Sequence, residues 1–240
     1  MVSRYVPEAL SSRLSRRQVL ATGSIVALSG CLGSGGSDGP SGAKVNEDVA
    51  NAPVPDSPDS FTYATTGSST STVTYYGSWK CPYCAEFSTG LLGELVTDYV
   101  ESGDISLQFR ALAYVDDKPF LGADASRAAR AGLAVWNVDP EMYWRYHEYV
   151  FANQPPESET WATTEKLVSF AESADVRNLA RVREQLDAQT YEPAVQKTSE
   201  AAAAASVSGT PTLIIDGETV NPLSDESRVR TLIEDLADGS

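Results

Sequence analysis

A pair of cysteines at the junction between a β-rich run and a helical pattern constrains this chain more than any other feature. Residues 72–76, Thr-Val-Thr-Tyr-Tyr, have the β-branched and aromatic character of a strand and stop at Gly77-Ser78. Cys81-Pro82-Tyr83-Cys84 comes next. From Pro82 the apolar period becomes helical, with Phe87, Leu91, Leu92, Leu95, Val96 and Tyr99 on one side. Pro82 suits a first helical turn, where its missing N–H costs nothing. Glu101-Ser102-Gly103 reads as the end of that helix, and residues 105–112 alternate as a further strand. The spacing predicts a strand–helix–strand unit with both cysteines at the start of its helix.

Two cysteines so placed can close into a small disulfide ring. Unpaired backbone N–H groups and the positive end of the helix dipole converge on Cys81, and both favour its thiolate. An ordinary thiol is only about 3% ionised at pH 7, and lowering its pKa by about 2 units raises that to roughly three-quarters. Lys80 either helps or points into solvent. Cys81, at the exposed end, is expected to form the mixed disulfide with a substrate thiol, and Cys84, one turn in, to resolve it. Pro82 and Tyr83 would tune the pair. A zinc site competes with this reading but needs two further ligands, and the chain offers His147 and Cys31, so no metal is expected. A structural disulfide would staple very little chain. Exchange of this kind needs no cofactor.

The rest of the pattern fits one α/β domain from about residue 61 onward. Residues 61–65 form a β-rich run before the central strand. Helical segments are expected at residues 123–136, 140–152, 164–173, 175–189 and 193–205, an inserted helical block spanning about residues 120–205. The aromatic stripe of Tyr143, Trp144, Tyr146, Tyr149 and Phe151 reads as core. The chain returns to β at residues 212–215 and 218–220, joined by Asp216-Gly217 as a hairpin. A last helix over residues 225–236 would be capped by Ser224.

Gly209-Thr210-Pro211-Thr212, directly before the late strand, makes the cysteine tetrad more specific. Together with Cys81-Pro82-Tyr83-Cys84 after a strand and the helical insertion, it resembles a DsbA-like member of the thioredoxin fold, over roughly residues 61–236. The resemblance implies that Pro211 is cis and faces the disulfide, and that the Thr210 backbone pairs with an extended substrate by strand addition. It also implies a thiol:disulfide oxidoreductase. Two departures stand out. Related proteins carry a buried acid on the strand before the active-site helix, and residues 73–76 here carry none. Glu86 is near in sequence but fits a solvated helix face. Pro-Tyr between the cysteines is also the glutaredoxin dipeptide, so it does not set the direction of electron flow.

The N-terminus reads as an address. Arg16-Arg17 precedes a short apolar run over residues 19–28, too short to span a bilayer, and resembles a twin-arginine signal over residues 1–30. Leu28-Ser29-Gly30-Cys31 resembles a lipoprotein cleavage box, which implies a lipidated Cys31 anchored to the extracytoplasmic face of the cell membrane. Residues 31–60, rich in Gly, Ser, Pro, Asp and Asn, then read as a flexible tether spanning about 30 Å. Beyond residue 30 the chain keeps 14 basic and 32 acidic residues, a charge of −18. This excludes a nucleic-acid partner, because no cationic stripe can displace counterions from phosphates. Abundant carboxylates with lysine only at 44, 80, 118, 166 and 197 suit a salty medium, where screening over about 3 Å leaves recognition to short-range contacts.

These readings converge on an oxidant for unfolded or thiol-containing exported proteins, renewed by a membrane redox partner. The alternatives are a reductase or isomerase using the same site, and a non-catalytic assembly factor on this fold. No dimerisation module is evident in the sequence.

Overall fold

The computed structural model describes residues 44–239. The signal segment of residues 1–30, Cys31 and the tether up to residue 43 lie outside the described residues. The sheet has five strands in the order β1-β3-β2-β6-β7, with β1 at Thr65–Thr66, β2 at Thr72–Gly77, β3 at Ser106–Ala111, β6 at Thr212–Ile215 and β7 at Glu218–Val220. Between β3 and β6 run the short hairpin of β4 (Tyr114–Val115) and β5 (Lys118–Pro119) and then helices α4 (Ala125–Val138), α5 (Tyr143–Asn153), α6 (Thr164–Ser173), α7 (Leu179–Asp187) and α8 (Glu192–Ala204). β2 lies parallel to β3 and antiparallel to β6, with Tyr75 opposite Phe109 on one side and Leu213 on the other. This is the mixed α/β architecture expected from the sequence, with the strand that leads into Cys81 at its centre.

Helix α2 (Pro82–Thr89) is shorter than the apolar period suggested. It breaks at Gly90 (φ −121°, ψ −111°), and the chain resumes as α3 (Leu91–Leu95) and a π-turn over Val96–Val100. The break coincides with a docking point for the N-terminal segment. Asn46 donates from Nδ2 to the Gly90 carbonyl at 3.3 Å, and its side chain lies where a Cβ on Gly93 would stand.

That contact corrects the tether, which ends well before residue 60. Asn46 caps a one-turn helix, α1 (Glu47–Ala50), and Val49, Ala50 and Ala52 are buried against the domain. The Pro53 carbonyl accepts from both Gly67 N and Thr66 Oγ1. A Gly/Ser/Pro-rich composition concealed a few apolar residues at the right spacing to dock.

Three further boundaries shift. Residues 61–63 do not pair as a strand; the Phe61 carbonyl accepts from Trp136 Nε1 and Tyr63 Oη donates to the Ala194 carbonyl, so helices α4 and α8 hold them. The expected helix from residue 175 begins at Leu179, because Asp175 and Asn178 are left-handed (φ 60° and 57°). Asp225 rather than Ser224 caps the last helix, α9 (Glu226–Asp238), by accepting from Arg228 N. The Asp216-Gly217 turn forms as expected, with φ positive at both residues.

The core lies between the sheet and the helical block. Val73, Tyr75, Leu107, Phe109, Leu213 and Ile215 meet Phe87, Trp144, Phe151 and Ile233 there. Tyr143, Trp144, Tyr146 and Phe151 are buried and Tyr149 half-buried, so the aromatic stripe is core. Trp79, from the loop before Cys81, lies against α4 at Gly132, where a Cβ would stand 2.7 Å from its Cζ3. Only glycine lets the helix come that close.

Candidate active site at the N-terminus of helix α2

Cys81 is the N-cap of α2, in extended conformation (φ −86°, ψ 119°), with Pro82 in the first helical position. Its backbone is held from three sides. The amide donates to the Ser78 carbonyl at 2.9 Å, and the carbonyl accepts from Ala85 N at 3.3 Å and from Gln154 Nε2 at 3.3 Å. The sulfur is less open than the sequence suggested: Cys81 is 3% exposed and Cys84 fully buried, while Tyr83 between them is 62% exposed. Both cysteines are present as free thiols.

The two thiols have opposite acid–base character. Cys81 is lowered from the ordinary thiol range to about 6. The hydrogen bond from Cys84 is the largest cause; burial opposes it, and the Thr210 side chain and the backbone N–H groups of Cys84 and Tyr83 add to the lowering. Cys84 is pushed well up, first by burial and then by its contacts with Cys81. A sulfur at about 6 is roughly nine-tenths thiolate at pH 7. One member of the pair is therefore charged and poised, and the other neutral.

Thr210 and Pro211 stand beside these sulfurs, although more than 120 residues separate them in sequence. The Thr210-Pro211 peptide is cis, and protonated Cys81 Sγ donates to the Thr210 carbonyl at 3.4 Å. The Thr210 hydroxyl forms no conventional hydrogen bond and acts on both sulfurs. Ser78 N donates to Cys84 Sγ at 3.4 Å.

Lys80 does not serve Cys81. It is 1% exposed, and Nζ donates to Asp124 Oδ1 and to the Glu159 carbonyl, both at 2.6 Å. Asp124 also accepts from Ala162 N at 2.8 Å. Burial acts to raise the Asp124 carboxyl, but Lys80 and the Ala162 N–H outweigh it and hold it below the usual range. This buried pair ties the loop before the cysteines to the helical block. Glu86 is exposed, as expected.

Two groups near Cys84 escaped the sequence reading. Tyr75 on β2 is fully buried with no hydrogen-bond partner for its hydroxyl, and burial first, then Cys84, push its phenol well above the ordinary range. The period-2 alternation of residues 73, 75 and 77 would have placed it on the face that α2 covers. One turn beyond Cys84, Ser88 donates to Glu148 Oε1, and His147 Nδ1 lies 3.1 Å from the same oxygen. Both α5 residues are completely buried, with the His147 ring enclosed by Phe109, Trp144 and Phe151. A buried carboxylate thus exists after all, on α5 rather than on the strand; the aromatic stripe hid it. Among the described residues no group of three or more His, Cys, Asp or Glu could hold a metal ion.

A family model described as thioredoxin matches residues 64–235. The chain belongs to the thioredoxin family. Within it the chain is a DsbA-like thiol:disulfide oxidoreductase. It is 28% identical over 163 residues to disulfide bond formation protein D of Bacillus subtilis, covering 68% of this chain and 71% of the relative. The crystal structure of oxidised BdbD from Bacillus subtilis superposes with a TM-score of 0.66 at 25% identity, over 79% of this chain and 98% of that one. Chlamydia trachomatis DsbA superposes with a TM-score of 0.61 at 20% identity, over 72% of this chain and 90% of that one, a likeness of fold alone. In this thioredoxin-family chain the match begins at Ala64, so the docked segment of residues 46–60 precedes it.

Proposed function

We propose that the chain oxidises cysteines of unfolded exported proteins through Cys81 and Cys84, outside the cytoplasm. The observation that carries this is the Cys81 thiolate, lowered to about 6 at a helix N-terminus beside the Thr210-Pro211 cis peptide. A stabilised thiolate favours the reduced dithiol, and a favoured dithiol makes the disulfide an oxidant. Relatives of similar length bear the name disulfide bond formation protein D, which agrees with that direction.

In the proposed cycle a client thiolate attacks the Cys81 sulfur of the Cys81–Cys84 disulfide and Cys84 leaves. A second client thiolate then attacks the client sulfur of the mixed disulfide and Cys81 leaves, so two electrons pass from client to enzyme. Thr210 and Pro211 would hold the client as an extended strand. A polar groove of about 410 Å³, lined by Asp116, Asp117, Glu200 and Ser206 to Ser208, ends two residues before Thr210 and gives such a segment room. Pro82 and exposed Tyr83 flank the approach to Cys81 and would set the contact with client and membrane redox partner. The N-terminal signal and a lipidated Cys31 would keep the domain at the outer face of the cell membrane.

Equilibration of the chain with glutathione measures the direction. A reduction potential nearer −120 mV than −270 mV supports the oxidant, and one near −270 mV a reductase. The Cys81→Ser variant should lose exchange with a reduced, unfolded dithiol protein; retained exchange would defeat the assignment. Mass spectrometry of the mature chain should find a lipid-modified Cys31 as its first residue, and an intact Met1 would defeat the anchor.

A further inference from the structure

The peptide that joins Cys81 to Pro82 has one polar handle. Pro82 has no N–H, so only the Cys81 carbonyl oxygen can anchor that peptide by a hydrogen bond. The peptide plane fixes the turn into α2 (Cys81 ψ 119°), and with it the direction of the Tyr83 and Cys84 N–H groups that act on the Cys81 sulfur. Two bonds hold the oxygen. One is the first bond of α2, from Ala85 N at 3.3 Å. The other comes from the helical block, from Gln154 Nε2 at 3.3 Å, 73 residues along the chain.

Local sequence prepares Gln154 for this contact. It follows α5, and Pro155 drives it out of the helix into extended backbone (φ −63°, ψ 132°). It is 6% exposed, so water competes little for its amide. Only the NH2 side of that amide can face a carbonyl, which fixes its orientation. Five residues on, the Glu159 carbonyl accepts from Lys80 Nζ at 2.6 Å, and Ala162 N donates to Asp124, the other partner of Lys80. The segment of residues 154–162 therefore donates to residue 81 and accepts from residue 80. It grips two adjacent residues of the cysteine loop in opposite senses.

We propose that Gln154 is a positioning residue for thiol–disulfide exchange: its side-chain amide holds the Cys81 carbonyl, so that the first turn of α2 keeps its N–H groups on the Cys81 sulfur. In the cycle above that sulfur is attacked, bonded to a client and released. With the backbone fixed, only the Cys81 side chain has to turn between these states, which keeps Cys84 in line to resolve the mixed disulfide. The same fixed donors meet the charge that returns to Cys81 when it leaves. The proposal deepens the exchange reading above and rests on it.

Gln154→Met keeps the length of the side chain and removes the donor. A neutral hydrogen bond is worth roughly a threefold to tenfold change. The Cys81 midpoint, read by thiolate absorbance of the reduced chain, should therefore rise by about half to one pH unit. Oxidation of a reduced dithiol peptide by the disulfide form should slow by roughly threefold to tenfold. Gln185→Met is the control: Gln185 is another buried glutamine of the helical block, on α7, bonded to Tyr191 Oη at 3.3 Å rather than to the cysteine loop. It should move neither readout. A Gln154→Met chain with native midpoint and native rate, or a Gln185→Met chain that shifts both as far, would overturn the proposal. Should Gln154→Met fail to fold, the native chain decides: the Gln154 side-chain amide protons should exchange with water far more slowly than those of exposed Gln189, and equal exchange would sink the contact. Exchange chemistry absent from the native chain would instead overturn the function, while the Cys81 midpoint still reports on Gln154.

Discussion

Cys81 and Thr210 meet only in the folded chain, and their chemistry can be separated by titration. Thiolate absorbance of the reduced protein should rise with a midpoint near 6 for Cys81, while Cys84 stays protonated well beyond the ordinary thiol range. In Thr210→Val the hydroxyl that helps lower both sulfurs is lost, so the Cys81 midpoint should move up; an unchanged midpoint would mean the hydroxyl is idle. The same shift acts on stability. The folded thiol lies below its unfolded value, so its contribution is complete above the unfolded pKa and is lost as pH falls toward 6. Between pH 6 and 8 the reduced protein should gain about 2 kcal/mol that Cys81→Ser does not show, read from urea unfolding midpoints. At pH 7 the same ionisation stabilises the dithiol by about 1.4 kcal/mol, or about 30 mV, a fraction of the roughly 150 mV between strong oxidants and reductants. The remainder must come from the state of Cys84 and its donors.

At the scale of elements, the interrupted helix matters most. The apolar period from Phe87 to Tyr99 was legible and its buried side is real, with Phe87, Leu92, Leu95 and Val96 all inside. The break at Gly90 was not legible; it coincides with the contact of Asn46, which arrives from a segment that composition marked as tether. Asn46 also caps α1 and donates its backbone N–H to Glu148 Oε2 at 3.4 Å, beside the Ser88 contact. Asn46→Ala removes a cap worth about 1 kcal/mol and should raise amide exchange in residues 46–52 while leaving β2 and β3 protected. Uniform exchange across both regions would show that the segment is not a separate unit. Glu148 and its cluster with His147 escaped detection for a related reason: in sequence they sit within an aromatic stripe, and only α2 packing on α5 gives them Ser88 as a partner.

For the whole molecule, the buried Lys80–Asp124 pair joins the thioredoxin-like sheet to the helical block. Both side chains are almost fully buried and both are satisfied, Lys80 by Asp124 and the Glu159 carbonyl, Asp124 also by Ala162 N–H. Lys80→Met leaves a buried carboxylate without its partner and should cost about 3–5 kcal/mol; pairing it with Asp124→Leu should recover much of that loss. Chemical denaturation of both variants measures this, and a mild single variant would show that the pair does not bridge the two parts. The acidic surface acts over the whole molecule differently. Arg230 gathers the exposed Glu94, Asp98 and Glu226 around one half-buried guanidinium, while many other carboxylates face solvent. Rising salt should therefore stabilise the fold by screening repulsion, rather than weaken it by screening such exposed pairs.

By itself the sequence determined the central strand, the cysteines at the head of a helix and the helical insertion, while the approach of Thr210-Pro211 to the site came only with the family resemblance. Those signals are local: periodicity, a proline at a helix start, a turn pair, a short motif. Tertiary structure alone decided that Cys81 is covered and meets the Thr210 carbonyl, that Lys80 turns away to Asp124, that residues 46–60 belong to the domain, and that Tyr75 is buried behind the site. Each of these depends on side chains brought together from distant parts of the chain, in a low-dielectric interior where one hydrogen bond shifts an ionisation.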